Sequence, residues 1–404
     1  MRDGGTLQIG IGALSDALVA ALLLRHERNG EYRAALNALR GIDVEIDPLI
    51  ARYGGTAPFA RGLYGASEMV MDGFMHLRRR GVLKRNVYDD AELQQAIDAG
   101  TRVDDGSLHG GHYLKGAFFL GSKEFYAWLG GLSGADYDGL VMSRVSDVNQ
   151  LYGGREALDS AQRRDARFFN TCMMATLLGA AVSDALEDGR VVSGVGGQYN
   201  FVAMAHAIAG GRSVLLLRAT RTHDGRIESN IRWNYGHTTI PRHLRDIYIT
   251  EYGVADLRGK SDEACIRAMI AISDARFQDE LAAQAIRAGK LARDFRVPDA
   301  WRANTPAGLA GRMREAKARG LFPPFPFGSD FTEVEQRLLP ALLWLRKSTS
   351  DWRRWPAVLG ALIAPGSADD AAPLLDRLGL SRPANLGERL LARLVRGALA
   401  RSRG

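Results

Sequence analysis

RVVSGVGGQYNFVAMAHAIAGGRSVLLLR, residues 190–218, decides the fold. Arg190–Val195 is short and rich in valine, and reads as a buried strand. Gly194, Gly196 and Gly197 then break it into a turn, Tyr199–Ile208 reads as a helix, and Gly210–Gly211 stop that helix. Ser213–Arg218 is a second apolar strand. Two strands around one helix predict a β-α-β crossover, and therefore an α/β fold with a parallel sheet. In such folds the glycine turn lies at the C-terminal sheet edge, with free backbone N–H groups and a helix start facing any ligand. Gln198 is placed to hydrogen-bond a ligand there. The same glycines also suit a turn that is tight only for packing.

The flanking segments fit that class. Thr6–Ile11 reads as a strand, followed by a Gly10–Gly12 turn and a helix over Ser15–Leu24. That turn is either part of a phosphate-binding arrangement or a close strand–helix contact, because the full dinucleotide fingerprint is absent. A polar, irregular stretch is expected over 26–62, and a glycine-rich loop over 100–112. Further expectations are a helix at Lys123–Leu129 capped by Ser122, a strand at Gly139–Ser143 and a long apolar helix over 168–186. A strand follows at Asp246–Thr250, and a helix at Asp262–Ser273 capped by Ser261. The domain expectation is a catalytic α/β domain over 1–295, a proline- and aromatic-rich linker over 296–331 and a basic helical extension over 332–404.

Glu68 is the candidate catalytic residue. It lies in LYGASEMVMDGFMHLRRRG, residues 63–81, between small residues and an amphipathic helical pattern. With Ser67 as N-cap, Glu68 would occupy the first helical position, where the helix dipole and free N–H groups keep a carboxylate ionised. An ionised, open carboxylate can act as a nucleophile. Glu68 and Asp72 equally suit the plain role of complementing a helix N-terminus.

The chain has 404 residues, 46% hydrophobic and 25% charged, an ordinary composition for a globular protein. Only two cysteines, Cys172 and Cys265, are present, which argues against a disulfide framework or structural zinc and fits a reducing cytoplasm. The opening apolar run is broken by Asp16 and glycines, and no stretch is long enough to span a membrane. No metal site is expected, because His109 and His112 lack ligand-spaced partners. The net charge of +7 and pI near 9.5 allow an anionic partner. Without an aromatic-interleaved basic motif, no nucleic-acid or membrane partner is expected.

Four stretches in order carry a family resemblance: TLQIGIGALSDAL (6–18), LYGASEMVMDGFMHL (63–77), VVSGVGGQYNFVAMAHAI (191–208) and DIYITEYGVADLRGKS (246–261). Together they resemble the acetyl-CoA hydrolase/transferase family, the CoA-transferases related to 4-hydroxybutyrate CoA-transferase, over about residues 4–290. GAFFLGSKEFYAWL and the tail beyond Pro323 look like those of a longer bacterial subgroup. The resemblance implies an open, mainly parallel sheet with helices on both faces. It implies CoA transfer from an acyl-CoA to a carboxylate, or hydrolysis to water, through a glutamyl-CoA thioester on Glu68. Coenzyme A enters as the acyl-CoA substrate. Gly194, Gly196, Gly197, Gln198 and Asn200 are the residues expected at the CoA arm. Family members usually carry Asp where this chain has Asn200, and many carry His where it has Ala66. Members have two related α/β domains with the site in the cleft between them, and this chain resembles the second. The expected partners are therefore a separate N-terminal-domain subunit or a second copy. The alternative reading is a non-catalytic CoA-binding or partner subunit.

Overall fold

A computed structural model describes the whole chain except Ile42, Asp105, Ser107, Asp224 and residues 350–353, 364–367 and 403–404. Arg353 and Arg403, counted in the basic excess of the tail, lie outside the described residues. The chain divides into two compact units, Met1–Arg221 with Ser229–Phe327, and Thr222–Glu228 with Gly328–Gly404.

An eight-stranded sheet organises the first unit. Its strands are β1 (Thr6–Ile9), β2 (Tyr64–Val70), β3 (Leu114–Phe119), β4 (Leu140–Met142), β5 (Arg167–Thr171), β6 (Arg212–Leu216), β7 (Ile247–Thr250) and β8 (Gly253–Asp256), in the spatial order β8-β7-β6-β5-β1-β2-β3-β4. Every pairing described is parallel except β7 with β8. The expected α/β class, with its mainly parallel sheet, is the observed one.

Both faces are covered, as parallel strands require. On one face, α1 (Ala13–Glu27) and α3 (Asp72–Arg79) bury Val19, Leu22, Phe74 and Met75 against Leu7 and Ile9. Between them in sequence, α2 (Asn29–Arg40) occupies part of the stretch expected to be irregular. Beyond β3, α4 (Lys123–Gly130) starts where Ser122 Oγ accepts from Phe125 N–H, as its cap signal implied. On the opposite face, α5 (Val145–Asn149) and α6 (Gln198–Ala207) bury Val148, Phe201 and Met204 against Phe168. At the β7–β8 end, α7 (Asp262–Ala271) and α8 (Ala275–Arg287) close a third cluster around Ile266, Met269 and Tyr248.

Four local expectations are corrected. Glu68 stands in strand β2, not at a helix start, and α3 begins only at Asp72. The small residues explain the choice: a Cβ on Gly65 would collide with Leu114 and crowd Phe74. Pairing with β1 and β3 thus overrode the local capping signal. Residues 168–186 hold β5 and the short strands Met174–Thr176 and Ala181–Val182 rather than a helix, since short apolar runs fit a buried strand as well as a helix. Arg190–Val195 forms a mostly exposed loop, so the strand preceding α6 in the parallel sheet is β5. The stretch expected as a linker contains helices at Pro306–Arg312 and Arg314–Ala318.

The second unit contains helices at Glu333–Thr349, Trp355–Ile363, Ala368–Arg377 and Leu386–Arg401. Leu338, Leu374, Leu375, Val395 and Ala398 form their core. Thr332 and Glu335 bond reciprocally at the first helix start, a capping box.

At the N-terminal sheet edge, Arg212 opens β6 and binds Asp246 and Asp256, all three buried. Burial alone would raise the Asp256 carboxyl, but the hydrogen bond and charge of Arg212 outweigh it and hold the group below its ordinary value of 3.8. A depressed carboxyl stabilises the fold above its unfolded pKa and loses that contribution as pH falls through the folded value. Arg212→Met removes the guanidinium shared by two buried carboxylates, leaving Asp246 to Arg258 and Asp256 to Tyr53 and Lys260. It should cost about 3–5 kcal/mol at neutral pH, with a deficit that shrinks as falling pH protonates the buried carboxyls, first in the variant and then in the native protein. Urea unfolding across pH measures both, and a pH-independent loss would contradict the assignment.

Candidate active site

Strand β2 carries Glu68 toward the C-terminal edge of the sheet, two residues before the strand ends at Val70. Side chains alternate across a strand. Ser67 points to the β1 side and donates to Ile9 O at 3.1 Å. Glu68 is half-buried, and α5 packs across β2 and β3.

The partner of Glu68 comes from far along the chain. Gly197 N–H donates to Glu68 Oε2 at 2.6 Å, joining positions 129 residues apart. Gly197 is the N-cap of α6, so its N–H is not used within the helix and adds to the positive end of the helix dipole. β1 lies between β2 and β5. The helix after β1 and the helix preceding β6 cover opposite faces. Strand succession reverses at β1, and α/β sheets bind ligands beyond the strand ends at such a reversal.

Glycine is required here for two separate reasons. Gly196 has φ 56°, the left-handed region that other residues avoid. Gly197 has φ −79°, open to any residue, but a Cβ there would overlap Glu68 Oε2 and the Asn149 side-chain amide.

Two buried acceptors border this contact. Gln198 donates from Nε2 to Thr171 O at 3.0 Å, at the end of β5, while its Oε1 has no partner. Asn149, on α5, is 5% exposed, and its Oδ1 is also without a partner. Unsatisfied buried acceptors cost about 1–3 kcal/mol each and point to a missing donor.

The structure therefore brings together Glu68, Gly196, Gly197 and Gln198 from the sequence reading. Gly194 is exposed with open space around it, and Asn200 is half-buried on α6; neither makes a hydrogen bond to Glu68. Asn149 was missed. It sits in the undistinguished stretch SDVNQ, and only the fold shows that α5 brings it to the glycine turn. His112 is buried beside Tyr64, 3.3 Å from its hydroxyl, whereas His109 is exposed. Among the described residues no group of three acidic, histidine or cysteine side chains could hold a metal. Among them also, no helix is long and apolar enough to cross a membrane.

Residues 121–285 match the acetyl-CoA hydrolase/transferase C-terminal domain. The similarity to that family thus covers this segment of the chain. The glycine turn lies inside the matched stretch and Glu68 before it. The chain is 25% identical over 283 residues to a 4-hydroxybutyrate coenzyme A transferase of Clostridium kluyveri, covering 70% of this chain and 50% of that protein. It is 30% identical over 172 residues to a probable butyrate:acetyl-CoA coenzyme A-transferase of Syntrophomonas wolfei, covering 42% and 36%. The chain thus spans half or less of these relatives. The crystal structure of RipA from Yersinia pestis shares the fold, with TM-score 0.50, 23% identity and coverage of 72% of this chain and 51% of that one.

Gly197→Ala tests the close approach. Overpacking should cost about 1–3 kcal/mol and displace the Glu68 carboxylate from the turn. A crystal structure of the variant that keeps the 2.6 Å hydrogen bond at full stability would show that the missing Cβ is irrelevant.

Proposed function

We propose that this chain carries the nucleophile of a CoA-transferase or acyl-CoA hydrolase, and that Glu68 is that nucleophile. The observation that carries the reading is the Gly197 N–H donated to the Glu68 carboxylate at 2.6 Å. A Glu68 oxygen attacks the acyl-CoA thioester carbonyl, the carbon–sulfur bond breaks, and a mixed anhydride forms as the CoA thiolate leaves. The thiolate then attacks the glutamyl carbonyl and expels the acyl group as a carboxylate. Glu68 is left as a glutamyl-CoA thioester. A second carboxylate reverses these steps and leaves with the CoA, while water in its place gives hydrolysis.

The geometry suits each demand of this sequence. The Gly197 N–H orients the attacking carboxylate. When the glutamyl carbonyl is itself attacked, the same N–H at the head of α6 faces the oxygen that gains charge. The free acceptors Asn149 Oδ1 and Gln198 Oε1 suit donors such as the amide N–H groups of a pantetheine arm. A metal has no part in the sequence of steps.

The site also needs a cover. Ile11, Leu120, Val191 and Tyr199 are 58%, 49%, 74% and 47% exposed around the C-terminal sheet edge. Exposed apolar groups at one edge favour a partner surface. A second α/β domain would exclude water there and strengthen electrostatic stabilisation.

Incubation of the full chain with an acyl-CoA, then borohydride and peptide mass spectrometry, tests the reading. Reduction of the Glu68 thioester to the side-chain alcohol, with CoA released and the mass change confined to the Glu68 peptide, is expected, and Glu68→Gln should abolish it without unfolding the protein. CoA binding with no adduct from any acyl-CoA would favour the non-catalytic partner subunit instead.

A further inference from the structure

The N-terminal edge of the sheet holds a second constellation that the reaction does not use. β5 begins at Arg167 and β6 at Arg212, and both side chains are buried. Together with Arg2, Arg52, Arg258 and Asp165 they line a cavity of 310 Å³. That volume is at the small end of ligand cavities, which run about 300–1,000 Å³. Strand β5 separates this cavity from the Gln198 contact at Thr171 by its full length, about 13–17 Å at 3.3 Å per residue. The two sites are therefore distinct.

The charges around the cavity do not balance. Arg212 and Arg258 share Asp246, and Arg212 also binds Asp256. Lys260 approaches Asp256 as well, at 3.8 Å. Asp165 is the only carboxylate among the described residues of the wall, 3.4 Å from Arg2. Five guanidinium groups and Lys260 thus face three carboxylates. Arg167 is buried and its hydrogen bonds reach neutral groups: it donates to Tyr53 O, Ala166 O and Gly210 O, at 2.7, 2.8 and 2.8 Å. These bonds satisfy its N–H groups without cancelling its charge. Burial, then Arg2 and Arg212 against the opposing pull of Asp165, push its guanidinium down to about 10.

Donors remain for a ligand. Arg258 Nε is buried with no partner. Arg52 is exposed and rests its guanidinium on the Tyr53 ring, 5.1 Å from the centroid. Partly buried guanidinium groups with excess positive charge are the standard arrangement for binding a phosphate by forked hydrogen bonds.

We infer that this arginine-lined cavity binds a compact phosphate-type dianion, either inorganic or the phosphate group of a small ester. The excess of positive charge suits such an ion. Its oxygens would accept from Arg52, Arg2 and Arg258 Nε, and it would neutralise the field on Arg167. Because the cavity lies at the other end of the strands from Glu68, occupancy stabilises the fold without competing with acyl-CoA.

Thermal unfolding and calorimetry of the full chain at constant ionic strength test the inference. Inorganic phosphate should raise the melting temperature above the chloride control, and the Arg52→Glu and Arg2→Ala variants should each weaken phosphate at least ~10-fold. Both side chains are at the surface of the cavity, so unliganded stability should change little. Parallel titrations with pyrophosphate and a phosphomonoester distinguish the source of the group, tighter binding of either one identifying the larger ligand. Three results would overturn the inference: no stabilisation beyond chloride, an unchanged phosphate affinity in both variants, or oxalate binding more tightly than phosphate.

Discussion

The hydrogen bond from Gly197 to Glu68 imposes the tightest constraint in the molecule. It requires a helix N-terminus on one face of a parallel sheet to reach across β1 to a strand beyond it. Only a residue without a Cβ lets the backbone come that near. The preceding residue must take a left-handed conformation, which Gly196 supplies. β2 must present its carboxylate on the α5–α6 side, which its alternation fixes once Ser67 binds Ile9 O on the other. Strand register, helix placement and glycine spacing therefore converge on one contact 2.6 Å long.

Much of this was legible in the residues, though not the manner of it. Ser122 and Ser261 stand at helix starts and accept from backbone N–H groups as their spacing implied. The GVGGQ turn was readable because glycines before a helix signal a tight turn, although only Gly196 and Gly197 carry a backbone demand in the fold. Glu68 was singled out as the candidate nucleophile and assigned to a helix start, whereas the fold sets it in a strand beside that turn. Ser67 satisfies the statistics of an N-cap, and nothing local reveals that β1 and β3 will pair with the segment. The apolar run after Arg167 shows the same limit, because a buried strand lacks the alternation that distinguishes it from a helix. Asn149 could not be found from the sequence at all, since its position depends on how a five-residue helix docks on β2 and β3.

The two ends of the parallel strands carry opposite chemistry. At the C-terminal ends a carboxylate meets a helix N-terminus and two unsatisfied amide oxygens. At the N-terminal ends arginines open β5 and β6 and draw aspartates around them. Parallel alignment makes this segregation possible, because residues at equivalent ends of successive strands gather on one edge. The helical second unit has its own core around Leu374 and Val395, and the chemistry described above rests on the first unit alone.

The central claim is that the Glu68 carboxylate exchanges covalently with its substrate. Supplying the protein with an acyl-CoA and a carboxylate acceptor labelled with heavy oxygen tests it directly. If Glu68 passes through an anhydride, one labelled oxygen is left on its side chain after turnover, and the Glu68 peptide gains the corresponding mass. Turnover of the labelled acceptor that leaves Glu68 unlabelled would contradict the account.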